Sequence, residues 1–122
     1  MAKSILVVDD SSIARKQLRT FLEQQGFKVS EANNGAAGLD TAKGNPYDLL
    51  IVDVNMPVMD GIQMISEVRK LPAYKRTPIF VLTTESADRL ALKGKVAGAT
   101  AWIVKPFNPT VLRKGIKKVL NV

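Results

Sequence analysis

The stretch from Leu49 to Gly61 reads "LLIVDVNMPVMDG" and combines a buried-strand pattern with a carboxylate. An uninterrupted apolar run such as residues 49–52 is typical of a strand buried on both faces, as in a parallel sheet. Asp53 follows this run directly, and a carboxylate at the end of an apolar segment is unfavourable unless something offsets its charge. The stretch therefore predicts a buried strand and a compensating positive charge beside Asp53.

Similar short β-rich segments recur along the chain and alternate with segments of helical spacing. The predicted strands lie at residues 4–8, 28–32, 48–52, 78–82 and 101–104. The predicted helices cover a segment that begins at Ser11 or Ser12 and ends near Gly26, and then residues 36–43, 62–71, 87–97 and 110–120. Five repeats of strand and helix predict an α/β fold, a doubly wound parallel sheet with right-handed crossovers and helices on both faces.

The length and composition limit how many domains the chain can form and which kinds of chemistry it can perform. At 122 residues the chain is expected to form one domain, residues 1–122, without an output domain after the fifth helix. It contains no cysteine and no histidine, which excludes disulfides, thiolate nucleophiles, imidazole bases and ordinary zinc sites. No segment approaches the roughly 20 apolar residues of a membrane span, and two acids interrupt the N-terminus too early for a signal peptide. We therefore expect a cytoplasmic protein with no membrane partner.

The net charge of +7 is distributed unevenly. Residues 1–61 carry six basic and eight acidic side chains, whereas residues 62–122 carry twelve and three. The basic residues of the second half, mostly single or paired on predicted helices, include Arg69, Lys70, Lys75, Arg76, Arg89, Lys93, Lys95, Arg113, Lys114, Lys117 and Lys118. Few aromatic residues separate them, which favours a solvated face suited to an acidic protein partner over a nucleic-acid surface.

Polar residues stand where the predicted strands end, and ligands of such sheets bind beyond the carboxyl ends of the strands. These residues are Asp9, Asp10, Asp53, Thr83, Thr84 and Lys105. Three neighbouring carboxylates repel one another unless a proton or a cation is present. Mg²⁺ prefers oxygen ligands and usually takes one or two carboxylates. We predict Asp10 and Asp53 as direct ligands, with Asp9 acting through water.

A carboxylate can also be a nucleophile that attacks phosphorus. We predict Asp53 as the phosphoacceptor, with the Thr83 hydroxyl and the Lys105 ammonium meeting charge on the phosphoryl oxygens. Each feature alone has a plainer interpretation, because the "DDSS" segment is an ordinary helix N-terminus and Asp60-Gly61 is an ordinary turn signal. The joint pattern at the strand ends favours the functional interpretation.

These motifs resemble those of a known family. "LVVDDSS", "DLLIVDVNMPVMDG", "VLTTES" and "WIVKPF" are similar to the receiver domains of two-component response regulators, and the similarity covers the whole chain. The resemblance implies a flavodoxin-like fold with five parallel strands in the order 2-1-3-4-5 and five helices. The "SILVVDDSS" opening and the "GKVAGATAWIVKPF" segment look most like single-domain chemotaxis receivers.

The resemblance also implies roles for individual residues at the acidic site. Asp53 would be the phosphoacceptor, and Asp9 and Asp10 would be the acidic pair that holds Mg²⁺. The backbone carbonyl of Asn55 would be a third protein ligand. Asn55 and Glu85 would flank the path of the attacking water and imply a short-lived phosphoform, whereas Val54 is expected only to face the core.

On the other side of the site, the resemblance implies a switch. Thr83 would turn towards the phosphoryl group, and Lys105 would pair with it, next to a cis Lys105-Pro106 peptide. Trp102 occupies the aromatic switch position of the fifth strand. Trp102 is bulkier than tyrosine and has no hydroxyl, so a role in packing or at an interface is an equal alternative.

The implied partners are a sensor histidine kinase, which donates the phosphoryl group, and a downstream protein with an acidic surface. That target would contact the fourth helix, the fifth strand and the fifth helix, and no nucleic-acid partner is expected. The chain would not be an enzyme beyond its own phosphorylation and dephosphorylation. The alternatives are a phosphorelay shuttle or phosphate sink acting with a histidine phosphotransfer domain, an aspartyl-phosphate phosphatase and a flavin-binding electron carrier.

Overall fold

Five parallel strands form the centre of the protein in a computed structural model that describes residues 2–54, 56, 58–83 and 98–122. The strands are β1 (Ser4–Val8), β2 (Lys28–Ala32), β3 (Leu49–Asp53), β4 (Ile79–Thr83) and β5 (Ala101–Val104). Their order in the sheet is β2-β1-β3-β4-β5, and all neighbouring strands are parallel. The predicted doubly wound, flavodoxin-like α/β fold is therefore confirmed.

Helices connect the strands. They are α1 (Ser12–Gln24), α2 (Gly35–Gly44), α3 (Gly61–Arg69), a short 3₁₀ helix (Pro72–Tyr74) and the C-terminal helix (Pro109–Leu120). The helix predicted at residues 87–97 lies outside the described residues. In the described ranges, no helix combines the length and the apolar character that a bilayer span requires.

Two strands end one residue later than predicted, which places two site residues inside the sheet. β3 and β4 were predicted at residues 48–52 and 78–82, but they end at Asp53 and Thr83. The reason is the ladder between them, in which Asp53 pairs with Leu82 and the Val54 amide donates to the Leu82 carbonyl at 3.0 Å. The site residues are therefore held by strand pairing.

Side-chain caps fix where the helices begin. The Ser11 hydroxyl accepts a hydrogen bond from the Ala14 amide at 3.2 Å, so Ser11 rather than Ser12 is the N-cap of α1. Asp60 was interpreted only as part of a turn, but it caps α3 in a reciprocal capping box with Gln63. Each cap stabilises the helix start that directly follows a strand-end loop.

The sheet separates two apolar layers. Alternate residues of the central strands, such as Leu6 and Val8, pack with the buried faces of α2 and α3. The intervening residues, such as Ile5 and Val7, pack with α1 and the C-terminal helix. Because β1, β3 and β4 are buried on both faces, their sequences are almost continuously apolar, as predicted. β5 lies at the edge of the sheet and is only partly buried.

Arg69 corrects one expectation from the charge pattern. The sequence placed it among solvated cations, but its guanidinium is partly buried at the end of α3. It donates hydrogen bonds to the carbonyls of Tyr74 at 2.6 Å, Thr77 at 2.7 Å and Gly98 at 2.8 and 3.1 Å. Burial lowers the pKa of Arg69. Arg69 therefore ties α3 to the segments that precede β4 and β5.

Candidate functional site

The carboxyl ends of the strands bring the predicted site residues together. Asp9 and Asp10 follow β1, Asp53 ends β3, Thr83 ends β4 and Lys105 follows β5. The carboxylates of the three aspartates offer oxygen atoms that all lie within 4.8 Å of one another. Because β1 and β3 are neighbours in the sheet, their acidic ends meet without any long-range distortion of the chain.

Asp9 is buried, and both of its carboxylate oxygens have partners. One oxygen accepts a hydrogen bond from the Lys105 ammonium at 2.7 Å, and the other accepts from the Ser11 amide at 2.9 Å. Asp10 is exposed at the mouth of the cluster. These contacts are compatible with the prediction that Asp10 contacts a cation directly while Asp9 acts through water.

Asp53 lies in an unfavourable electrostatic position. Its side chain is 7% exposed, and one carboxylate oxygen lies 3.1 Å from the Lys105 ammonium. Burial and then the charge of Asp9 raise the pKa of Asp53 to about 6, although Lys105 opposes this shift. The Lys105 ammonium pairs with two of the three carboxylates, so the cluster retains an excess of negative charge.

Lys105 is held between the two buried aspartates. Burial alone would lower the pKa of Lys105, but hydrogen bonds to Asp9 and Asp53 outweigh that effect and raise it overall. Its backbone amide donates to the Thr83 carbonyl at 2.7 Å, and the Lys105-Pro106 peptide is cis, as predicted. The ammonium is therefore charged and directed at the carboxylate cluster.

Comparison with known proteins identifies the family of this chain. Residues 5–117 match the family model described as the response regulator receiver domain. The chain belongs to this family. Receiver domains are phosphoacceptors in two-component signalling rather than enzymes that act on a separate small substrate. They function with sensor histidine kinases and downstream targets.

Solved receiver structures superpose over almost the whole chain. The chemotaxis protein CheY4 of Vibrio cholerae is 41% identical, with a TM-score of 0.93, and the match covers 98% of this chain and 99% of that one. A CheY-like receiver domain protein of Methanospirillum hungatei JF-1 is 28% identical, with a TM-score of 0.92 and coverage of 99% and 95%.

One curated relative is a longer protein than this chain. The transcriptional regulatory protein SrrA of Staphylococcus aureus is 36% identical over 99% of this chain but over only 49% of its own length. The chain thus spans about half the length of the curated relatives that it matches. The match locates the receiver portion of that protein.

The acidic site of this receiver fits a hard divalent cation. Receiver domains bind Mg²⁺ at an acidic site, and this chain places three carboxylates within 4.8 Å of one another. Carboxylate oxygens are the ligands that Mg²⁺ prefers. The raised pKa of Asp53 shows that Lys105 alone does not neutralise the cluster. A bound dication would offset that remaining negative charge.

Thr83 and Trp102 occupy the predicted switch positions. Thr83 is fully buried at the end of β4. Trp102 is partly buried on β5, where its ring packs against the apolar layer beneath α2 and α3. Its indole N–H is buried without a hydrogen-bond partner among the residues that the structure describes. A buried donor without a partner is unfavourable.

The loop after Asp53 is only partly described. Asn55 and Glu85, predicted to tune the lifetime of the phosphoform, lie outside the described residues, as does the Asn55 carbonyl predicted as a ligand. Val54 is buried in the core, as expected. Gly61 has a role that the sequence did not reveal, because a Cβ there would overlap the Asp53 carbonyl. Its amide donates to the Val54 carbonyl at 3.0 Å, which holds the start of α3 against the site.

Proposed function

We propose that this receiver takes a phosphoryl group onto Asp53 from the phosphohistidine of a sensor histidine kinase, in the presence of Mg²⁺. The observation that carries this proposal is the buried Asp53 carboxylate. It lies 3.1 Å from a charged lysine and within a cluster of three carboxylates. A purely structural site would not need to bury so much uncompensated negative charge. Its burial therefore favours a functional role, and the phosphoacceptor is that role.

The transfer step uses groups that the structure places at the strand ends. A carboxylate oxygen of Asp53 attacks phosphorus, the new O–P bond forms, and the P–N bond to the kinase imidazole breaks with its electron pair passing to nitrogen. A pKa of about 6 leaves Asp53 mainly ionised at neutral pH, so the nucleophile is available. Lys105, held by Asp9 at 2.7 Å, offsets charge on the phosphoryl oxygens.

Asp10 and Asp53 would hold the Mg²⁺ ion directly, together with the predicted Asn55 carbonyl, and Asp9 would contact it through water. When bound, the ion would neutralise charge that develops on the phosphoryl oxygens. Both Asp9 oxygens already have protein partners, which supports its indirect role. Asp10 is exposed and can reach an incoming ion.

A phosphoryl group on Asp53 would draw the Thr83 hydroxyl towards it and alter the packing around Trp102. The indole N–H, which is buried without a hydrogen-bond partner among the described residues, supports a change at Trp102. β4 and β5 are adjacent, with Val81 opposite Trp102 and Thr83 opposite Val104, so a movement at Thr83 can be transmitted directly to β5. Phosphorylation would thereby change the surface around β5 and the C-terminal helix.

The output that we propose is binding of an acidic protein target, in chemotaxis. The C-terminal helix exposes Arg113, Lys114, Lys117 and Lys118, and none of them has a carboxylate within ion-pair distance in the described ranges. Arg89, Lys93 and Lys95 of the same predicted face lie outside those ranges. The full-length similarity to V. cholerae CheY4 supports the chemotaxis assignment.

Phosphorylation is tested with acetyl phosphate and MgCl₂, followed by intact mass and by Trp102 fluorescence. We expect the mass to increase by one phosphoryl group and the fluorescence to change, both only when Mg²⁺ is present. Asp53→Asn should abolish both signals, whereas Asp40→Asn, which changes an exposed carboxylate on α2, should leave them intact. Phosphorylation of Asp53→Asn to the wild-type extent would refute the proposal.

The acidic-target proposal is tested on the C-terminal helix. Lys114→Glu with Lys118→Glu should weaken binding of the phosphorylated receiver to an acidic chemotaxis target about tenfold or more, without changing its phosphorylation rate. Lys16→Glu with Lys43→Glu makes the same change in net charge on exposed residues of α1 and α2 and is the matched control. Equal losses in the two double variants would reduce the effect to net charge alone.

A further inference from the structure

We propose that Arg15 is a positioning residue that sets the direction of Asp10 in the cation site; this inference rests on the proposed Mg²⁺-dependent function. The Arg15 guanidinium donates a hydrogen bond to the backbone carbonyl of Asp9 at 2.7 Å. Its side chain is only 18% exposed, although it begins on the first turn of α1. Arg15 contacts the backbone that carries the acidic pair and was not singled out by the sequence.

The Asp9 carbonyl that Arg15 contacts lies between two other hydrogen bonds that fix this part of the backbone. The Asp9 amide is still tied to β2, because it donates to the Ala32 carbonyl at 3.1 Å. Two residues later the Ser11 amide is tied to the Asp9 carboxylate at 2.9 Å. Between these bonds lies the Asp9–Asp10 peptide, whose carbonyl is the group that Arg15 holds.

Holding this carbonyl constrains Asp10 directly. The Asp9 carbonyl and the Asp10 amide belong to one planar peptide unit, so fixing the carbonyl fixes the plane from which the Asp10 Cα projects. Asp10 is exposed, and in the described ranges no hydrogen bond or ion pair to its side chain orients it. The position of the Asp10 carboxylate therefore depends on the backbone, which Arg15 holds together with the hydrogen bonds of the Asp9 and Ser11 amides.

Arg15 is itself held by Glu31, which Arg19 also binds. Its Nε donates to Glu31 on β2 at 3.1 Å. Arg19 donates to the other Glu31 oxygen at 2.7 Å and also pairs with Glu23 at 3.3 Å. The hydrogen bond from Arg19, followed by that from Arg15, lowers the pKa of Glu31 against the effect of burial, so Glu31 is ionised at neutral pH.

The planar guanidinium is what makes this arrangement possible. One edge of Arg15 bonds Glu31 while another nitrogen bonds the Asp9 carbonyl, and both directions are fixed by the same rigid group. A lysine has the same charge but a single ammonium on a flexible chain, so it does not reproduce both bonds in one geometry. Arg15→Lys therefore removes the positioning while it keeps the charge.

The test is an amide NMR titration of the full chain with MgCl₂, comparing Arg15→Lys with Arg19→Lys. Both variants remove one arginine bond to Glu31, but only Arg15 reaches Asp9. Loss of an outer residue that orients a metal ligand typically weakens affinity by about 10-fold or more. We expect the apparent Kd for Mg²⁺ to rise about tenfold in Arg15→Lys and to stay within about twofold in Arg19→Lys. Similar affinities in the two variants would overturn the proposal.

A second measurement needs no metal. In the absence of Mg²⁺, Arg15→Lys should shift the amide resonances of Asp10 and Ser11, whereas Arg19→Lys should leave them unchanged. If Arg15→Lys does not fold, Glu31→Gln, which loosens Arg15 without removing it, should produce the same shifts to a smaller extent. Unchanged Asp10 and Ser11 resonances would contradict the positioning role even if the wild type bound no Mg²⁺. Failure of the wild type to bind Mg²⁺ would instead count against the proposed function.

Discussion

Two regions of this receiver bury cationic side chains, but they differ in how well the protein itself balances the buried charge. The Arg69 guanidinium donates four hydrogen bonds to three backbone carbonyls, which are fixed by the fold. At the other region the Lys105 ammonium faces Asp9 and Asp53, with Asp10 close by, and cannot neutralise all three. Backbone carbonyls supply the hydrogen-bond acceptors of the first region, whereas the second region keeps an excess of negative charge that a bound cation would offset. This difference separates a structural charge from a functional one.

The largest effect is expected at the structural region. Arg69→Ala would leave the carbonyls of Tyr74, Thr77 and Gly98 without these donors, and we expect it to lower the free energy of unfolding by about 3 kcal/mol. Lys70→Ala is the control, because Lys70 is exposed and, in the part of the chain that the structure describes, its ammonium pairs only with Glu67. It should change stability by about 0.5 kcal/mol or less in the same urea titration. A loss below about 1 kcal/mol in Arg69→Ala would contradict the structural role.

The functional region should respond in the opposite direction. Asp53→Asn removes a buried charge that the metal-free protein does not neutralise, so it should raise the free energy of unfolding near neutral pH. The pKa shift from 3.8 to about 6 corresponds to at most about 3 kcal/mol. This value already includes the opposing attraction of Lys105, and Asn still buries a polar amide, so we expect a gain of about 2 kcal/mol. Urea titrations of the wild type and of Asp53→Asn without Mg²⁺ measure this gain in the free energy of unfolding.

The raised pKa of Asp53 also determines whether stability rises or falls with pH. Between about pH 4 and pH 6 the folded protein retains a proton on Asp53 that the unfolded chain has lost, so the stability contributed by that proton falls as pH rises. The advantage of Asp53→Asn should therefore be small near pH 4 and reach its full size above about pH 6. Asp40→Asn, at an exposed position of α2, should show no such trend. A pH-independent advantage would show that burial of charge is not its cause.

A smaller effect is expected from the cation itself. Mg²⁺ at about ten times its Kd should stabilise the wild type by about 1.4 kcal/mol, because it binds only the folded site. The same concentration should stabilise Asp10→Asn much less, since a direct ligand is lost. KCl at matched ionic strength controls for screening. Equal stabilisation of the two proteins by MgCl₂ would place the cation elsewhere on the molecule.

Much of the fold and of the site could be predicted from sequence because both depend on local patterns. The apolar runs of β1, β3 and β4 identify strands buried on both faces, and the residues at their ends must then share one edge of the sheet. The same pattern predicts that Asp9, Asp53, Thr83 and Lys105 lie together. Their roles in phosphoryl transfer stay predictions until phosphorylation is measured.

The rest depends on contacts between segments that are distant in sequence. Arg69 binds the Gly98 carbonyl, 29 residues away, and nothing in the local charge pattern distinguishes it from the exposed Lys70. The close approach of Gly61 to the Asp53 carbonyl and the bond from Arg15 to the Asp9 carbonyl also arise only when the loops are packed. The periodicity of apolar residues predicts which positions are buried, but it does not predict which backbone group a long side chain contacts.

The most direct test of the central claim is the pKa of Asp53, measured by carboxyl ¹³C NMR with and without MgCl₂. The claim is that the protein alone leaves the Asp53 charge uncompensated and that a cation completes the site. We predict a pKa of about 6 in the metal-free protein and a clear decrease when Mg²⁺ is added. An ordinary aspartate pKa in the metal-free protein, unchanged by Mg²⁺, would contradict the claim.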